Sequence, residues 1–105
     1  MSIVQLTNKD YKDTVSAAGV TIVDFFADWC GPCKTYSPVV DQIAKDYEGQ
    51  IKVYKVDAGT EMELAAAVEV SSLPTTIVLK DGIVQDKAVG AMPAVALKKL
   101  IESAL

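Results

Sequence analysis

"FADWCGPCKTYSP", residues 26–38, holds both cysteines of this 105-residue chain, Cys30 and Cys33, with Gly31 and Pro32 between them. Three kinds of site use two cysteines this close together: a structural disulfide, a metal site and a redox-active dithiol. A structural disulfide is the least favoured, because closing so short a loop removes little conformational entropy from the unfolded chain. Half of the residues are hydrophobic, so the chain has enough apolar material for a core without a cross-link.

Histidine is absent from the sequence, and this narrows the chemistry of the cysteine pair. It excludes a Cys–His nucleophile pair of the protease kind and a Cys₂His₂ zinc site. A closed zinc site needs four ligands, whereas the chain offers two thiols, so we expect no metal site. A metal carrier that completes its site with other ligands is the alternative.

The net charge of −4 and the absence of arginine argue against a nucleic-acid-binding surface, because phosphate contacts need clustered cations. No run of about 18 apolar residues occurs, so we expect no membrane span. The first residues, "MSIVQLTNKD", lack the basic and then apolar segments of a secretory signal. Two cysteines in such a sequence predict a reducing compartment, the cytoplasm. The length predicts one domain over residues 1–105.

Hydrophobic periodicity and turn residues divide the chain into nine predicted elements. The predicted strands are Ser2–Leu6, Val20–Ala27, Ile51–Asp57 and the two arms of a hairpin that turns at Asp81 and Gly82. The predicted helices cover residues 8–18, the segment from the cysteines to Gly49, residues 60–68 and a last segment that has Pro93 in its first turn. The order β-α-β-α-β-α-β-β-α predicts a three-layer α/β domain with the hairpin at one edge of the sheet.

The helix that follows the second predicted strand begins at the cysteines, so we expect Cys30 at its N-terminus. Unpaired N–H groups and the helix dipole stabilise an anion there, and the pKa of Cys30 should lie below that of a free thiol. The thiolate is the attacking species in disulfide exchange. Pro32 stiffens the turn, and Gly31 lets another backbone approach closely. Cys33 lies one turn before Tyr36 on the inward face, so we expect an exposed attacking Cys30 and a shielded resolving Cys33.

Asp24 is the only charged residue in the apolar run 20–27, which is typical of a strand covered on both faces. Desolvation raises the pKa of a buried carboxyl group, and such a group near Cys33 can accept its proton when the second thiol attacks. Lys55 lies in another apolar strand and is a candidate modulator of Asp24. The alternatives are that Asp24 is a hydrogen-bonded structural group and that Lys55 extends to solvent.

Five short motifs together resemble the thioredoxin family, and the resemblance covers nearly the whole chain in order. They are "WCGPC" (29–33), "VDFFA" (23–27), "LPT" (73–75), "KDG" (80–82) and "VGA" (89–91). A CxxC motif alone is weak evidence, whereas WCGPC with a downstream LPT in this element order is specific. The resemblance implies a thioredoxin fold: a five-stranded mixed sheet of order 1-3-2-4-5 flanked by four helices, with the last two strands antiparallel to the others.

The resemblance also implies where a substrate binds. The peptide bond before Pro74 is expected to be cis and to face the dithiol, with the backbone of Leu73 bonding the substrate chain. The expected docking patch consists of Trp29, Gly31, Pro32, Leu73, Val89, Gly90 and Ala91. For Val89 and Ala91, ordinary loop and strand packing is the alternative.

The implied function is a dithiol reductant of protein disulfides that cycles through a Cys30–Cys33 disulfide and is re-reduced by a separate thioredoxin reductase. No organic cofactor is implied, because the two sulfurs carry the electrons, and we expect a monomer. Oxidants and isomerases of this fold usually carry a histidine between the cysteines, and its absence here favours a reductant. The alternative from another class is a binding or assembly module with incidental thiols. The positions that depart from residues common in the family, and at which partner choice is not predicted, are Phe26, Thr35, Tyr36, Ser71 and Ser72.

Overall fold

The structure, a computed structural model, describes residues 3–105. All nine predicted elements are present, in the predicted order. The strands are β1 (Val4–Gln5), β2 (Val20–Phe26), β3 (Ile51–Asp57), β4 (Thr75–Lys80) and β5 (Ile83–Val89). The helices are α1 (Tyr11–Val15), α2 (Gly31–Asp46), α3 (Met62–Ala67) and α4 (Ala94–Ala104).

The five strands form one mixed sheet of order β1-β3-β2-β4-β5, which confirms the predicted order. β1 and β2 both pair with β3 in parallel, and β4 pairs antiparallel with β2. The predicted direction of β5 is wrong. Because β5 pairs antiparallel with β4, it runs in the same direction as β1, β2 and β3. The physical reason is the tight hairpin, which reverses the chain once more after β4.

Helices cover both faces of the sheet, and the alternation of side chains along β2 decides which residues meet which helices. Val23 and Phe25 pack in one cluster with buried residues of α1 and α3. Ile22 packs on the opposite face with buried residues of α2 and α4. Asp24 follows Ile22 by two positions, so its carboxyl group is directed towards α2. The three-layer α/β architecture is therefore confirmed.

The turn between β4 and β5 has the conformation that its residues predict. Asp81 and Gly82 have φ angles of 51° and 81°, and a two-residue type I′ turn requires positive φ at both positions. A Cβ atom on Gly82 would lie 3.1 Å from Ser16 Cα, and Asp81 Oδ1 accepts the Gly19 N–H at 2.8 Å. The turn therefore packs against the segment that joins α1 to β2.

The first helix is shorter than predicted at both ends. It covers Tyr11–Val15 rather than residues 8–18, and its N-cap is Asp10. The Asp10 carboxylate accepts the Thr7 N–H at 2.7 Å, so the chain forms a turn before the helix begins. Short polar side chains compete with helical hydrogen bonds in this way.

Other element boundaries differ from the predicted ones by a few residues. β1 covers two residues of the predicted Ser2–Leu6, of which Ser2 lies outside the described part of the chain. α3 begins two residues later and ends one residue earlier than the predicted range 60–68. Pro93 is the N-cap of α4 rather than a residue of its first turn.

Lys87 on β5 closes the C-terminal end of α3. Its ammonium group donates to Val68 O at 3.1 Å and to Glu69 O, where carbonyl groups at a helix end favour a cation. Lys87→Met keeps the aliphatic stem and removes these bonds, so we expect it to lower the free energy of unfolding by about 1 kcal/mol. Chemical denaturation measures the loss. The exposed Lys52 of β3 offers a matched Lys→Met control, and an equal loss in both variants would contradict the role of Lys87.

Candidate active site

β2 leads into α2 through a short connection, and Cys30 is the N-cap of that helix. The Cys33 N–H donates to Cys30 Sγ at 3.2 Å, so one of the unpaired N–H groups of the first turn is directed at the sulfur. The Cys30 N–H donates to Ala27 O at 3.1 Å. Pro32 lies in the first turn, where its missing N–H costs no helical hydrogen bond. Unpaired N–H groups and the helix dipole favour negative charge at such a position.

Cys30 and Cys33 form a disulfide, with their Cα atoms 5.3 Å apart. The prediction of an exposed Cys30 is wrong for this oxidised state, in which Cys30 is 6% and Cys33 is 4% exposed. Both cysteines pack with Ala27, and Phe26 and Leu73 pack against this cluster. The two cysteines nevertheless line different cavities, so they meet different surroundings.

Cys30 lines an apolar groove of about 520 Å³, which we call the Cys30 groove. Three predicted docking residues line it as well: Trp29, Pro32 and Leu73. Trp29 is 76% exposed, although tryptophan side chains are on average largely buried. Ser71, one of the positions that depart from residues common in the family, also lines it, and the remaining lining residues were not predicted: Ala58, Met62, Ala65, Ala66 and Val70. For Met62, Ala65 and Ala66 the sequence signal is the run "MELAAA" (62–67), since small side chains on a short helix leave room for another chain.

The turn that contains Pro74 lies beside the C-terminal end of β5. The Leu73–Pro74 peptide bond is cis, as the resemblance implies. The Gly90 N–H donates to Pro74 O at 2.8 Å, and Val89 pairs with Thr75 in the β4–β5 ladder. The predicted docking patch is therefore divided between the groove and this neighbouring surface. Its members outside the Cys30 groove are Gly31, Val89, Gly90 and Ala91.

Asp24 and Cys33 line a second cavity, of about 290 Å³, which we call the Asp24 cavity. Asp24 is 2% exposed, and within residues 3–105 its buried Oδ1 has no hydrogen-bond partner. Burial raises the pKa of Asp24 to about 6, while the charge of Lys55 lowers this pKa and that of Asp41 raises it. A carboxyl group with such a pKa is largely ionised at neutral pH and is still basic enough to accept a proton.

Both the sequence and the fold match known proteins along nearly the whole chain. The thioredoxin family model matches residues 2–103. The chain belongs to the thioredoxin family. Thioredoxins of Staphylococcus saprophyticus and Staphylococcus aureus are each 44% identical to it over 105 residues, the whole of both chains. A similar fold is present in a solved structure. That structure concerns the thiol-resolving mechanism of yeast mitochondrial 1-Cys peroxiredoxin via the glutathione and thioredoxin systems. The matched chain has a TM-score of 0.89 and 31% identity, covering 97% of this chain and 95% of that chain.

This thioredoxin-family protein is a thiol-disulfide oxidoreductase, and the Cys30–Cys33 pair is its redox-active centre. It acts as a dithiol reductant of protein disulfides, which confirms the function that the resemblance implies. The redox group is the disulfide itself. Within residues 3–105, no group of three or more histidine, cysteine, aspartate or glutamate side chains is arranged to hold a metal ion. None of the helices in that range combines the length and the apolar character needed to cross a membrane.

Lys55 lies opposite Asp24 in the β2–β3 ladder, yet its ammonium group binds to α2. It donates to Ser37 Oγ at 2.7 Å and forms an ion pair with Asp41 Oδ1 at 3.1 Å. Ser37 and Asp41 are not among the predicted site residues. The signal for them is their spacing of four residues on a predicted helix, which places both on one side of it.

Tyr36 is a position at which the chain departs from residues common in the family. Its hydroxyl group contacts a residue of β4 that pairs with Asp24. Its hydroxyl group shares a 2.8 Å hydrogen bond with Thr76 Oγ1, and Thr76 lies opposite Asp24 on β4. Burial raises the pKa of Tyr36 to about 12, so the hydroxyl group stays neutral. The hydrogen bond between Tyr36 and Thr76 gives each of these two buried hydroxyl groups a partner and adds no charge beside Asp24.

Proposed function

We propose that Cys30 is the attacking thiol and Cys33 the resolving thiol of this dithiol reductant. The Cys30 thiolate attacks one sulfur of a protein disulfide, forms a mixed disulfide and releases the other substrate sulfur as a thiolate. The Cys33 thiolate then attacks Cys30 Sγ and releases the second substrate thiolate. Two electrons have then passed to the substrate, and the Cys30–Cys33 disulfide remains to be reduced by a separate enzyme.

The observation that carries these roles is the position of Cys30 at the N-cap of α2, where its Sγ accepts the Cys33 N–H. That position favours the thiolate at Cys30 rather than at Cys33. The cavities support the same division of labour. Cys30 lines the Cys30 groove with the exposed Trp29, whereas Cys33 shares the Asp24 cavity with a buried carboxyl group.

Asp24 is proposed as the proton acceptor for Cys33, because the ionised carboxylate must take up the thiol proton before Cys33 can attack. The shared cavity supports this role, since its volume of about 290 Å³ leaves room for a bridging water molecule. Lys55, the residue opposite on β3, is proposed to modulate the basicity of Asp24 through its positive charge.

The proposed substrates are proteins with accessible disulfides, which dock as an extended chain across the surface around Cys30. The backbone of Leu73 is proposed to bond the substrate chain next to the attacked disulfide. A Cβ atom on Gly31 would point into open space, so this position presents no side chain that would obstruct a docking chain. The proposed docking residues are Trp29, Gly31, Pro32, Leu73, Pro74, Val89, Gly90 and Ala91.

We further propose that residues 1–105 act as one domain and as a monomer in the cytoplasm, with a thioredoxin reductase as the electron source. In a reducing compartment the two thiols can be kept reduced and do not form a permanent disulfide. The net charge of −4 supports proteins rather than nucleic acids as partners. Neither a membrane partner nor a metal or organic cofactor is part of this proposal.

Cys33→Ser tests the order of attack. The variant retains the first step and lacks the second, so we expect it to accumulate a mixed disulfide between Cys30 and a substrate such as insulin. Mass spectrometry before and after reduction measures the adduct. In the matched Cys30→Ser variant no comparable adduct is expected. A larger amount of adduct in Cys30→Ser than in Cys33→Ser would reverse the two roles.

Asp24→Asn tests the proton acceptor. General-base catalysis is commonly worth a factor of about 100, so we expect the variant to resolve its mixed disulfide about 100-fold more slowly near neutral pH. Stopped-flow absorbance measures this step with an aromatic disulfide whose released thiolate is coloured, at concentrations where resolution limits the rate. An unchanged rate of resolution would rule out Asp24 as the acceptor, whereas the first attack by Cys30 serves as the internal control.

A further inference from the structure

Lys55 has two neighbouring carboxylates, Asp24 and Asp41, and its ammonium group binds to Asp41. In the parallel β2–β3 ladder Lys55 lies directly opposite Asp24, a spacing that lets side chains on one face interact. Yet Lys55 Nζ forms its ion pair with Asp41 on α2, supported by Ser37. Within residues 3–105, Asp24 forms no ion pair, although it is the more deeply buried of the two carboxylates.

We propose that Asp41 is a positioning residue for the resolving step: its ion pair holds the Lys55 ammonium group on α2 and so prevents it from pairing with Asp24. This inference rests on the proposed role of Asp24 as the proton acceptor for Cys33. An ammonium group in contact with Asp24 would stabilise its anion and weaken it as a base. By holding Lys55, Asp41 leaves Asp24 accessible to the proton of Cys33 and basic enough to accept it.

The geometry supports a holding role rather than a chance surface contact. Lys55 has a side chain only 14% exposed, so its ammonium group has few alternatives to the partners around it. Ser37 and Asp41 are four residues apart on α2 and receive two separate hydrogen bonds from it, at 2.7 and 3.1 Å. Lys55 and Ser37 both line the Asp24 cavity, so release of the ammonium group from α2 would leave it free to turn towards Asp24.

Asp41 acts on Asp24 by two routes that have the same sign. Its own negative charge disfavours the Asp24 anion and raises the pKa of Asp24. Its ion pair also keeps the positive charge of Lys55 from a closer approach, which would lower that pKa. Titratable groups face Asp24 or its cavity from three surrounding elements. They are Lys55 of β3, Asp28 of the β2–α2 connection, and Cys33, Lys34, Tyr36 and Asp41 of α2. On β4 the residue opposite Asp24 is the uncharged Thr76.

Asp41→Ala tests the inference directly on the oxidised 105-residue protein. We expect the midpoint of the Asp24 carboxyl titration, followed by ¹³C NMR, to move from about 6 to lower pH. Asp46→Ala is the matched control, since Asp46 is another α2 carboxylate in an ion pair, 3.7 Å from Lys98, and we expect it to leave the midpoint in place. Asp41→Glu should restore the wild-type midpoint. An unmoved midpoint in Asp41→Ala, or an equal movement in Asp46→Ala, overturns the inference.

A double-mutant cycle with Lys55→Met separates the two routes. If Asp41 acts by holding Lys55, Asp41→Ala lowers the Asp24 midpoint less in the Lys55→Met background than in the wild type. Equal movement in both backgrounds would leave only the direct charge effect and overturn the holding role.

The kinetics distinguish this inference from the proposed function on which it rests. General-base efficiency follows basicity, so we expect Asp41→Ala to slow resolution of the mixed disulfide by about threefold near neutral pH and to move the acid limb of its pH profile to lower pH. If Asp24→Asn resolves at the wild-type rate, the proposed role of Asp24 fails. If Asp24→Asn is slow while Asp41→Ala keeps the wild-type profile, only the role of Asp41 fails.

Discussion

Cys30→Ser is expected to reduce insulin disulfides no faster than the background reaction with dithiothreitol. The exchange needs a thiolate at this position, and a serine hydroxyl group neither ionises near neutral pH nor forms a disulfide. The loss should therefore be complete rather than partial, although the N–H of Cys33 that now contacts the sulfur would still be present to bind an anion. Turbidity from precipitated insulin B chain measures the reaction.

Ala44→Ser is a suitable companion to Cys30→Ser, because it also introduces one serine at α2 but leaves both thiols in place. We expect it to retain insulin reduction. Circular dichroism of Cys30→Ser should show the native helix and strand content, since the core clusters on both faces of the sheet do not depend on the disulfide. Substantial insulin reduction by a folded Cys30→Ser protein would refute the assignment of the nucleophile.

Asp24→Asn is expected to stabilise the oxidised protein by about 3 kcal/mol above the pH range in which Asp24 titrates. The pKa of Asp24 is about 6 in the folded state and 3.8 in its ordinary environment, so folding favours the protonated form. Wild-type stability that depends on this group is fully present below pH 3.8, declines as the pH rises towards about 6, and stays lost above it. The asparagine of Asp24→Asn does not ionise, so the variant keeps this stability as the pH rises.

The measurement is the difference in unfolding free energy between Asp24→Asn and wild type, taken by chemical denaturation at several pH values. We expect this difference to grow in favour of Asp24→Asn between about pH 4 and pH 6 and then to remain constant. Taking the difference cancels the titration of the other carboxylates. Asp24→Leu should show the same trend, because it too removes the buried charge. A difference that is independent of pH would contradict the raised pKa.

Stability and catalysis make opposite demands at Asp24. A buried carboxyl group whose Oδ1 lacks a hydrogen-bond partner among the described residues destabilises the fold when ionised. The same burial keeps it basic enough for the proposed proton transfer. We therefore expect Asp24→Asn to be both the more stable and the slower protein, a combination typical of residues kept for function.

The local features of this protein follow from neighbouring residues in the sequence. The apolar run 20–27 predicts a doubly covered strand, and Asp81-Gly82 predicts a tight turn with positive φ; both are present. The position of Cys30 at a helix N-terminus follows equally from the adjoining strand and helix. Such features depend on periodicity, turn geometry and unpaired N–H groups within a few residues, so the sequence by itself determined them, and the family resemblance supplied the strand order.

Tertiary structure alone decided which groups meet across larger separations in the chain. Lys55 binds Ser37 and Asp41 rather than Asp24, and both cysteines are buried in the oxidised state. α3 lines part of the Cys30 groove, which the sequence did not predict. The physical reason is that these outcomes depend on how closely helices pack on the sheet and on which of several partners a long side chain reaches. Differences of a few ångströms decide them, and no periodicity in the sequence records such distances.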